Sequence, residues 1–166
     1  MVEGTVIYLS LGSNLGDRRL NLEHARGLIG EQLGTPGRVS GVFESAAWGY
    51  SSDNTFYNCC LSATTILEPL SLLNSILAME KSLGRIRKEG GYADRVIDID
   101  LLLYGDQIVD HLRLKIPHPA MAERRFVLAP LAEIAPHLVH PVTGITIAEM
   151  LIRCPDQAAV NPLRPG

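Results

Sequence analysis

The feature that most constrains the fold of this sequence is an apolar run, residues 96–103, interrupted by two aspartates. Asp98 and Asp100 are separated by one isoleucine, and the rest of the run is valine, isoleucine and leucine. Such a run is typical of a buried strand, whose side chains alternate between faces, so both carboxylates are predicted to share one face. Burying two like charges side by side is costly, and one of them is expected to be pushed towards protonation. A bound divalent cation would remove that cost, which makes the pair a candidate Mg²⁺ site.

The segments before this run predict the order strand, helix, strand, strand, helix, strand. Strands are predicted over 6–11, 38–45 and 56–66, and helices follow Asp17 and begin at Pro69. This order predicts an α+β, ferredoxin-like split βαβ fold, in which an antiparallel sheet packs its helices on one face. Short C-terminal additions follow, with a helix over 147–152 and a tail that is expected to be poorly ordered from about residue 155.

Bulk composition narrows the class of protein. At 166 residues the chain is expected to be a single domain, residues 1–166, with 46% hydrophobic and 20% charged residues. The net charge of −3 argues against a nucleic-acid partner. A membrane helix needs an apolar run of roughly 18 residues, and neither such a run nor a signal peptide is evident, so a cytoplasmic protein without membrane contact is expected.

Cations surround the aspartate run in the sequence. Those that precede the acids are Arg85, Arg87, Lys88 and Arg95. Beside acids that hold Mg²⁺ they would neutralise phosphate oxygens, although such a run taken alone could be a solvated loop. His118 stands between two prolines, where it is either a phosphate ligand on a stiff segment or an ordinary loop histidine. No P-loop motif is present.

Five sequence blocks, in this order, resemble those of the 6-hydroxymethyl-7,8-dihydropterin pyrophosphokinase family. They are LSLGSNLGD (9–17), FYN (56–58), the segment from Glu80 to Arg87, DRVIDID (94–100), and IPHP (116–119) followed by Met121, Arg124, Phe126, Pro130 and Leu131. The resemblance implies transfer of pyrophosphate from ATP to the hydroxymethyl group of a reduced pterin, in folate biosynthesis.

The resemblance also implies roles for individual residues. Asp98 and Asp100 would bind two Mg²⁺ ions, and together with Arg85 and Arg95 they form the predicted catalytic group. The implied ATP contacts are Arg85, Arg87, Arg95, His118 and Arg124. The implied pterin contacts are Ser45, Trp48, Phe56, Asn58, Tyr92 and Phe126. Glu80 matches an acid of the site wall.

Asp94 and Tyr92 depart from the family pattern, which usually has proline and tryptophan at these positions. Neither departure removes a metal ligand or a phosphate arginine. The expected partners are therefore still ATP and the reduced pterin, and a monomer is expected.

Two other classes of protein are compatible with acids on a strand of this fold. One is a two-metal nucleotidyl transferase or nuclease, against which the acidic net charge and small size argue. The other is a non-catalytic ligand-binding module, which would have no need for buried acids facing an arginine loop.

Overall fold

The computed structural model describes residues 3–86 and 92–164. The strands in these ranges are β1 (Thr5–Ser13), β2 (Thr35–Val39), β3 (Phe43–Ser45), β4 (Phe56–Thr65), β5 (Asp98–Tyr104), β6 (Val109–Asp110), β7 (Lys115–Ile116) and β8 (Val160–Pro162). The helices are α1 (Arg18–Gln32), α2 (Pro69–Ser82), α3 (Arg125–Ile134) and α4 (Ile147–Arg153), and a 3₁₀ turn covers Met121–Glu123.

The main sheet has the order β5-β1-β4-β3-β8, and β2 also pairs with β4. Its strand pairs are antiparallel. The elements β1, α1, β2–β3, β4, α2 and β5 follow the predicted order, which confirms the ferredoxin-like α+β fold. β5 is an edge strand of this sheet, and the β6–β7 hairpin forms a separate two-stranded sheet.

The predicted strand over 38–45 is divided into β2 and β3. At the break, the amide of Cys60 donates to the hydroxyl of Ser40 at 2.9 Å, while the amide of Ser40 donates to the carbonyl of Cys60 at 2.9 Å. A side-chain oxygen thus takes the place of a backbone carbonyl at this point. The chain can then change direction before β3 without leaving a buried donor unpaired.

Helices cover both faces of the sheet, whereas the sequence predicted helices on one face. Ile7, Leu9 and Leu11 of β1 pack with α1 and α2, and each is fully buried. On the opposite face Cys60 and Leu102 pack with α3 and α4. The face covered by α3 and α4 is also the one towards which the two aspartates point.

α3 is missing from the sequence prediction because Pro130 lies inside it. A proline in a helix removes one backbone hydrogen bond and crowds the preceding turn. Here α3 buries an apolar stripe that outweighs this cost: Val127, Leu128, Leu131 and Ile134.

The C-terminal prediction is partly wrong. The helix expected over 147–152 is present as α4, but the expected disorder after residue 155 is contradicted by β8, which pairs with β3 in the register Ser45↔Val160 and Phe43↔Pro162. Such pairing with an edge strand cannot be seen in the short polar tail itself. In the described ranges, no helix is long and apolar enough to cross a membrane.

Candidate active site

A cavity of about 420 Å³ extends from the α3–α4 side of the sheet, near the ends of β1, β4 and β5, around edge strand β5 to α2 and the β6–β7 hairpin. Every predicted site residue that the structure describes lines it: Ser45, Trp48, Phe56, Asn58, Arg85, Tyr92, Arg95, Asp98, Asp100, His118, Arg124 and Phe126. Arg87 and Lys88 lie outside the described residues. The structure therefore brings the predicted acids, cations and aromatic residues together, while their individual roles stay predictions.

The floor of the cavity follows the sheet register. Asp98 pairs with Gly12 of β1, and Gly12 pairs with Asn58 of β4, so these three residues form one row across three strands on the same face. An ideal Cβ on Gly12 would lie 3.1 Å from Asn58 Oδ1, closer than an ordinary contact. The missing side chain therefore leaves open floor between the carboxylate and the amide.

Ile99 is buried against α1 and α2 on one face of β5. Its two neighbours Asp98 and Asp100 therefore share the opposite face, as predicted. Their side chains keep 24% and 29% of their surface exposed, towards the cavity. Burial, followed by the like charge of Asp98, raises the pKa of Asp100 to about 7, although Arg124 opposes this. The pair therefore carries the electrostatic cost that the sequence predicted.

Two arginines already face Asp98. Arg85 Nη1 lies 2.6 Å from Asp98 Oδ1, and Arg95 Nη1 lies 3.2 Å from Asp98 Oδ2. Buried Glu80 accepts a second bond from Arg85 Nη1 at 2.6 Å and one from the amide of Ile99 at 2.8 Å. Burial opposes the charge of Arg85, but Asp98 and Glu80 outweigh it and raise the pKa of the guanidinium. Glu80 thus fixes Arg85 beside the acids.

Arg124, the N-cap residue of α3, reaches the second acid. Its Nη1 lies 3.7 Å from Asp100 Oδ2, and its guanidinium lies 4.6 Å from the Trp48 ring centre and 5.8 Å from that of Phe126. Its buried Nε has no hydrogen-bond partner within the described parts of the chain. A buried donor without a partner is costly, so this atom suits an anionic ligand.

His118 lines the same part of the cavity. Its amide donates to the carbonyl of Leu102 at 2.9 Å, which attaches the histidine to β5. Burial, and then the charge of Arg124, lower the pKa of His118 to about 4, so the ring is neutral at pH 7. Nδ1 accepts from the amide of Ala120 at 3.2 Å. The hydrogen-bond pattern therefore assigns the proton to Nε2, which can donate to a ligand.

The other end of the cavity offers an amide and aromatic rings. Asn58 is buried and donates from Nδ2 to Ser45 Oγ at 2.8 Å, which fixes the orientation of its amide. Tyr92 stacks on Tyr50 with ring centres 6.2 Å apart, and it meets Trp48 edge-on at 6.0 Å. A flat polar heterocycle fits such a recess.

Sequence reasoning missed an apolar recess on the far side of the acids. It lies beyond edge strand β5, between α2 and the β6–β7 hairpin, and its apolar lining is Leu73, Ile76, Leu77, Leu112 and Leu114. In the sequence these α2 residues are indistinguishable from an ordinary buried stripe. Leu112 at the hairpin tip is almost fully exposed, which is unusual for a leucine, but this exposure is visible in the structure and not in the sequence.

The donor set of the site fits a hard cation. Among the residues that the structure describes, no group of three or more His, Cys, Asp or Glu side chains could hold a metal by itself. Asp98 and Asp100 offer two carboxylates on one face, and Asp100 is destabilised in its charged form. Mg²⁺ commonly takes one or two carboxylates and completes its shell with water and substrate phosphates, so two acids are sufficient.

Comparison with known proteins places the chain in a family. The model of the 7,8-dihydro-6-hydroxymethylpterin-pyrophosphokinase (HPPK) family matches residues 8–136. The chain is 41% identical over 136 residues to a 2-amino-4-hydroxy-6-hydroxymethyldihydropteridine pyrophosphokinase of Aquifex aeolicus, covering 82% of this chain and 84% of that protein. A protein of the same name from Synechocystis sp. is 41% identical over 162 residues, covering 95% and 80%.

Longer relatives contain the same region. A folic acid synthesis protein of Dictyostelium discoideum is 36% identical over 160 residues, which cover 96% of this chain but only 24% of that protein. The chain thus spans about a quarter of that relative.

Solved structures support the fold alone. The HPPK-DHPS protein of Plasmodium falciparum matches with a TM-score of 0.74 at 19% identity, over 90% of this chain and 43% of that one. An HPPK-DHPS protein in complex with substrates matches with a TM-score of 0.75 at 14% identity, over 91% and 43%. From the family match and the relatives at 41% identity, the chain belongs to the 7,8-dihydro-6-hydroxymethylpterin-pyrophosphokinase family, as its sequence predicts.

Proposed function

We propose that this chain transfers pyrophosphate from ATP to the hydroxymethyl group of 6-hydroxymethyl-7,8-dihydropterin, in folate biosynthesis. The hydroxyl oxygen attacks the β-phosphorus of ATP and loses its proton, and the bond from that phosphorus to the oxygen bridging the α- and β-phosphates breaks. The products are AMP and the pterin diphosphate. One observation carries the proposal: a single cavity places the acid pair and its cations between an amide–aromatic recess and an apolar recess.

The acceptor end suits the pterin. The Asn58 amide, oriented by Ser45, would read the polar edge of the ring system. Phe56, Trp48, Tyr92 and Phe126 supply ring faces and edges around it. The open floor at Gly12 leads from the amide towards Asp98, so a pterin held by Asn58 would extend its hydroxymethyl group towards the acids.

The acids would hold the metal. We propose that Asp98 and Asp100 each contribute carboxylate oxygens to a site for two Mg²⁺ ions. When bound, these ions would neutralise phosphate charge and acidify the attacking hydroxyl. The raised pKa of Asp100 supports this proposal, because a cation between the carboxylates would favour the charged form.

The cations would orient the phosphates and stabilise charge in the transition state. Arg85 and Arg95 converge on Asp98 from the two sides of its carboxylate, so phosphate oxygens at the acids would meet both guanidinium groups. Arg124 Nε, which has no hydrogen-bond partner among the described residues, and the Nε2 proton of His118 add two donors on the α3 side. Because pyrophosphoryl transfer needs little covalent work from the protein, this positioning accounts for most of the catalysis.

The apolar recess would take the adenine base. It lies across edge strand β5 from the pterin end, so ATP and pterin would approach the acids from opposite sides. Apolar pockets with a few polar groups are typical sites for such ligands.

We also propose that residues 1–166 act as one domain, as a cytoplasmic monomer without a nucleic-acid partner. A single monomer-sized species in sedimentation experiments would support the oligomeric state.

A product assay tests the reaction. The protein is incubated with ATP, Mg²⁺ and the reduced hydroxymethylpterin, and nucleotides are separated by chromatography. AMP and pterin diphosphate in equal amounts are expected. ADP would indicate a simple kinase, released pyrophosphate would indicate a nucleotidyl transferase, and the absence of any product would favour a binding module.

A matched pair of variants links that product to the site. Asp98→Asn should abolish AMP formation while circular dichroism and the melting temperature show a folded protein. Asp106→Asn removes an exposed acid just after the same strand and should leave the rate unchanged. Full activity of Asp98→Asn would contradict the metal role.

A further inference from the structure

Asp94, the acid that departs from the family pattern, is the centre of a dense hydrogen-bond cluster. Its Oδ1 accepts from Asn14 Nδ2 at 2.9 Å, from the hydroxyl of Tyr50 at 2.9 Å and from the hydroxyl of Ser52 at 2.7 Å. Its Oδ2 accepts from Asn54 Nδ2 at 2.8 Å. We call Asp94 and these four donors the Asp94 clasp. The bond from Ser52, followed by the other donors, lowers the pKa of Asp94, so the carboxylate is charged at neutral pH.

The clasp joins three segments that are far apart in sequence. Tyr50, Ser52 and Asn54 belong to the loop 46–55, which carries the pterin-side wall. Asn14 follows β1 and is buried, and its side chain also accepts from the amide of Arg95 at 2.7 Å. The amide of Asn14 donates in turn to the carbonyl of Arg95 at 3.0 Å. Residues 94 and 95 are thereby fixed to the end of β1.

Each neighbour of Asp94 contributes to the site. Arg95, one residue on, reaches Asp98 with Nη1 and bonds the carbonyl of Ala93 with Nε. Tyr92, two residues before, stacks on Tyr50, which itself belongs to the clasp. Gly49 allows the Tyr92 ring to lie close to the backbone of the loop 46–55, since an ideal Cβ there would lie 3.1 Å from that ring. The Asp94 carboxylate therefore helps to position both Arg95, which would contact phosphate, and the Tyr92 ring, which would face the acceptor.

We propose that Asp94 is a positioning residue that couples the loop 46–55 to residues 92–95, so that the acceptor wall and Arg95 are placed together. The inference rests on the proposed function, because it assigns the purpose of the clasp to that reaction. Charge-assisted bonds are the stronger kind, and four of them meet on one carboxylate. Misplacement of a catalytic group by about 1 Å can cost on the order of a hundredfold in rate, so loss of the clasp should be felt in turnover.

The first test needs no substrate. Trp48 is the single tryptophan of the chain and lies in the clasped loop, 6.0 Å from Tyr92. In Asp94→Ala, Trp48 fluorescence should become more accessible to acrylamide quenching than in the unmodified protein. Asp53→Ala is the matched control, because Asp53 is an exposed acid of the same loop, and its quenching should not change. Equal quenching of both variants would overturn the proposal even if the enzyme had a different activity.

The second test uses kinetics. Asp94→Ala should lower kcat by about tenfold to a hundredfold and raise KM for the pterin, with KM for ATP changed least. If Asp94 acts through Arg95, the double variant Asp94→Ala, Arg95→Ala should turn over no more slowly than Arg95→Ala alone. Multiplicative losses in the double variant would show that Asp94 does not act through Arg95 and would overturn the coupling.

The conservative variant separates positioning from general stability. Asp94→Asn keeps an oxygen for the three donors on Oδ1 but places an NH₂ group opposite Asn54, so it should recover part of kcat and of the protection of Trp48. If Asp94→Asn is as impaired as Asp94→Ala, while both have the melting temperature of the unmodified protein, hydrogen-bond acceptance at Oδ1 is not the basis of the role. If the unmodified protein forms no AMP at all, the proposed function fails, and the quenching comparison still decides whether the clasp orders the loop.

Discussion

The two faces of strand β1 differ in what their side chains do. On one face Ile7, Leu9 and Leu11 are completely buried against α1 and α2. On the other face the last two positions are Ser10 and Gly12, which are small and line the cavity. One strand therefore supplies a dense core on one side and room for a ligand on the other. The comparison indicates that substitutions on the first face should change stability, and substitutions on the second should change chemistry.

The sharpest way to test this division is Asp100→Asn on the neighbouring strand β5, where Asp100 pairs with Ser10 of β1 and lines the same cavity. If Asp100 holds Mg²⁺ as proposed, loss of its carboxylate should remove several kcal/mol of transition-state stabilisation, and the rate of AMP formation should fall about a thousandfold or more. The melting temperature at pH 8 should not fall, and it should rise if the buried charge is a net cost. A variant that loses its fold together with its activity would contradict the division.

The same carboxyl predicts a pH dependence. In the metal-free protein the pKa of Asp100 is raised from its ordinary value of 3.8 to about 7, so its contribution to stability is complete below pH 3.8 and is lost as the pH rises to about 7. Unfolding in urea with chelator, at several pH values, should show this slope in the unmodified protein and less of it in Asp100→Asn. Metal affinity should change in the opposite sense and weaken as the pH falls below 7, because the carboxyl must lose its proton to bind.

Leu9→Ala tests the buried face of β1. Removing a fully buried leucine should cost about 2–5 kcal/mol in the free energy of unfolding. Below the unfolding transition, kcat should stay within about twofold, since Leu9 itself is not among the described residues that line the cavity. Leu20→Ala, at a position 43% exposed on α1, is the control and should cost far less. A large drop in kcat without loss of stability would break the comparison.

Gly12→Ala should give the smallest effect. The added methyl group would lie 3.1 Å from Asn58 Oδ1 and 3.4 Å from the Phe56 ring, on the floor of the acceptor end. Crowding of this size is expected to weaken the free energy of pterin binding by about 1 kcal/mol, which corresponds to roughly a fivefold rise in KM for the pterin. KM for ATP should not change, and an equal rise in both constants would show that the floor is not specific to the acceptor.

The parts of the structure that follow from local patterns could be predicted from the sequence. Alternation along 96–103 identified β5 and the shared face of Asp98 and Asp100. Strand and helix order was sufficient for the ferredoxin-like core. α3 could not be predicted in the same way, because Pro130 indicates a break and only burial of its apolar stripe offsets that signal.

The parts of the site that depend on distant partners could not be predicted. Asp94 and Tyr50 are 44 positions apart, and no spacing rule connects a loop tyrosine to an acid of another loop. The sequence indicates Glu80 only as an acid of the site wall. In the structure Glu80 forms an ion pair with Arg85 and accepts a hydrogen bond from the amide of Ile99. The roles of both acids are set by tertiary contacts, which local patterns do not contain.

The row formed by Asp98, Gly12 and Asn58 has a consequence for how this site tolerates change. Neighbouring strands are about 4.8 Å apart, so the carboxylate and the amide are separated by two strand spacings, or roughly 10 Å. That separation is set by main-chain hydrogen bonds, which do not depend on side-chain identity. The sheet therefore fixes the distance between the acid and the amide, and this distance can be retained while most other residues are replaced. The agreement in fold at 14–19% identity is what such a backbone-defined distance would permit.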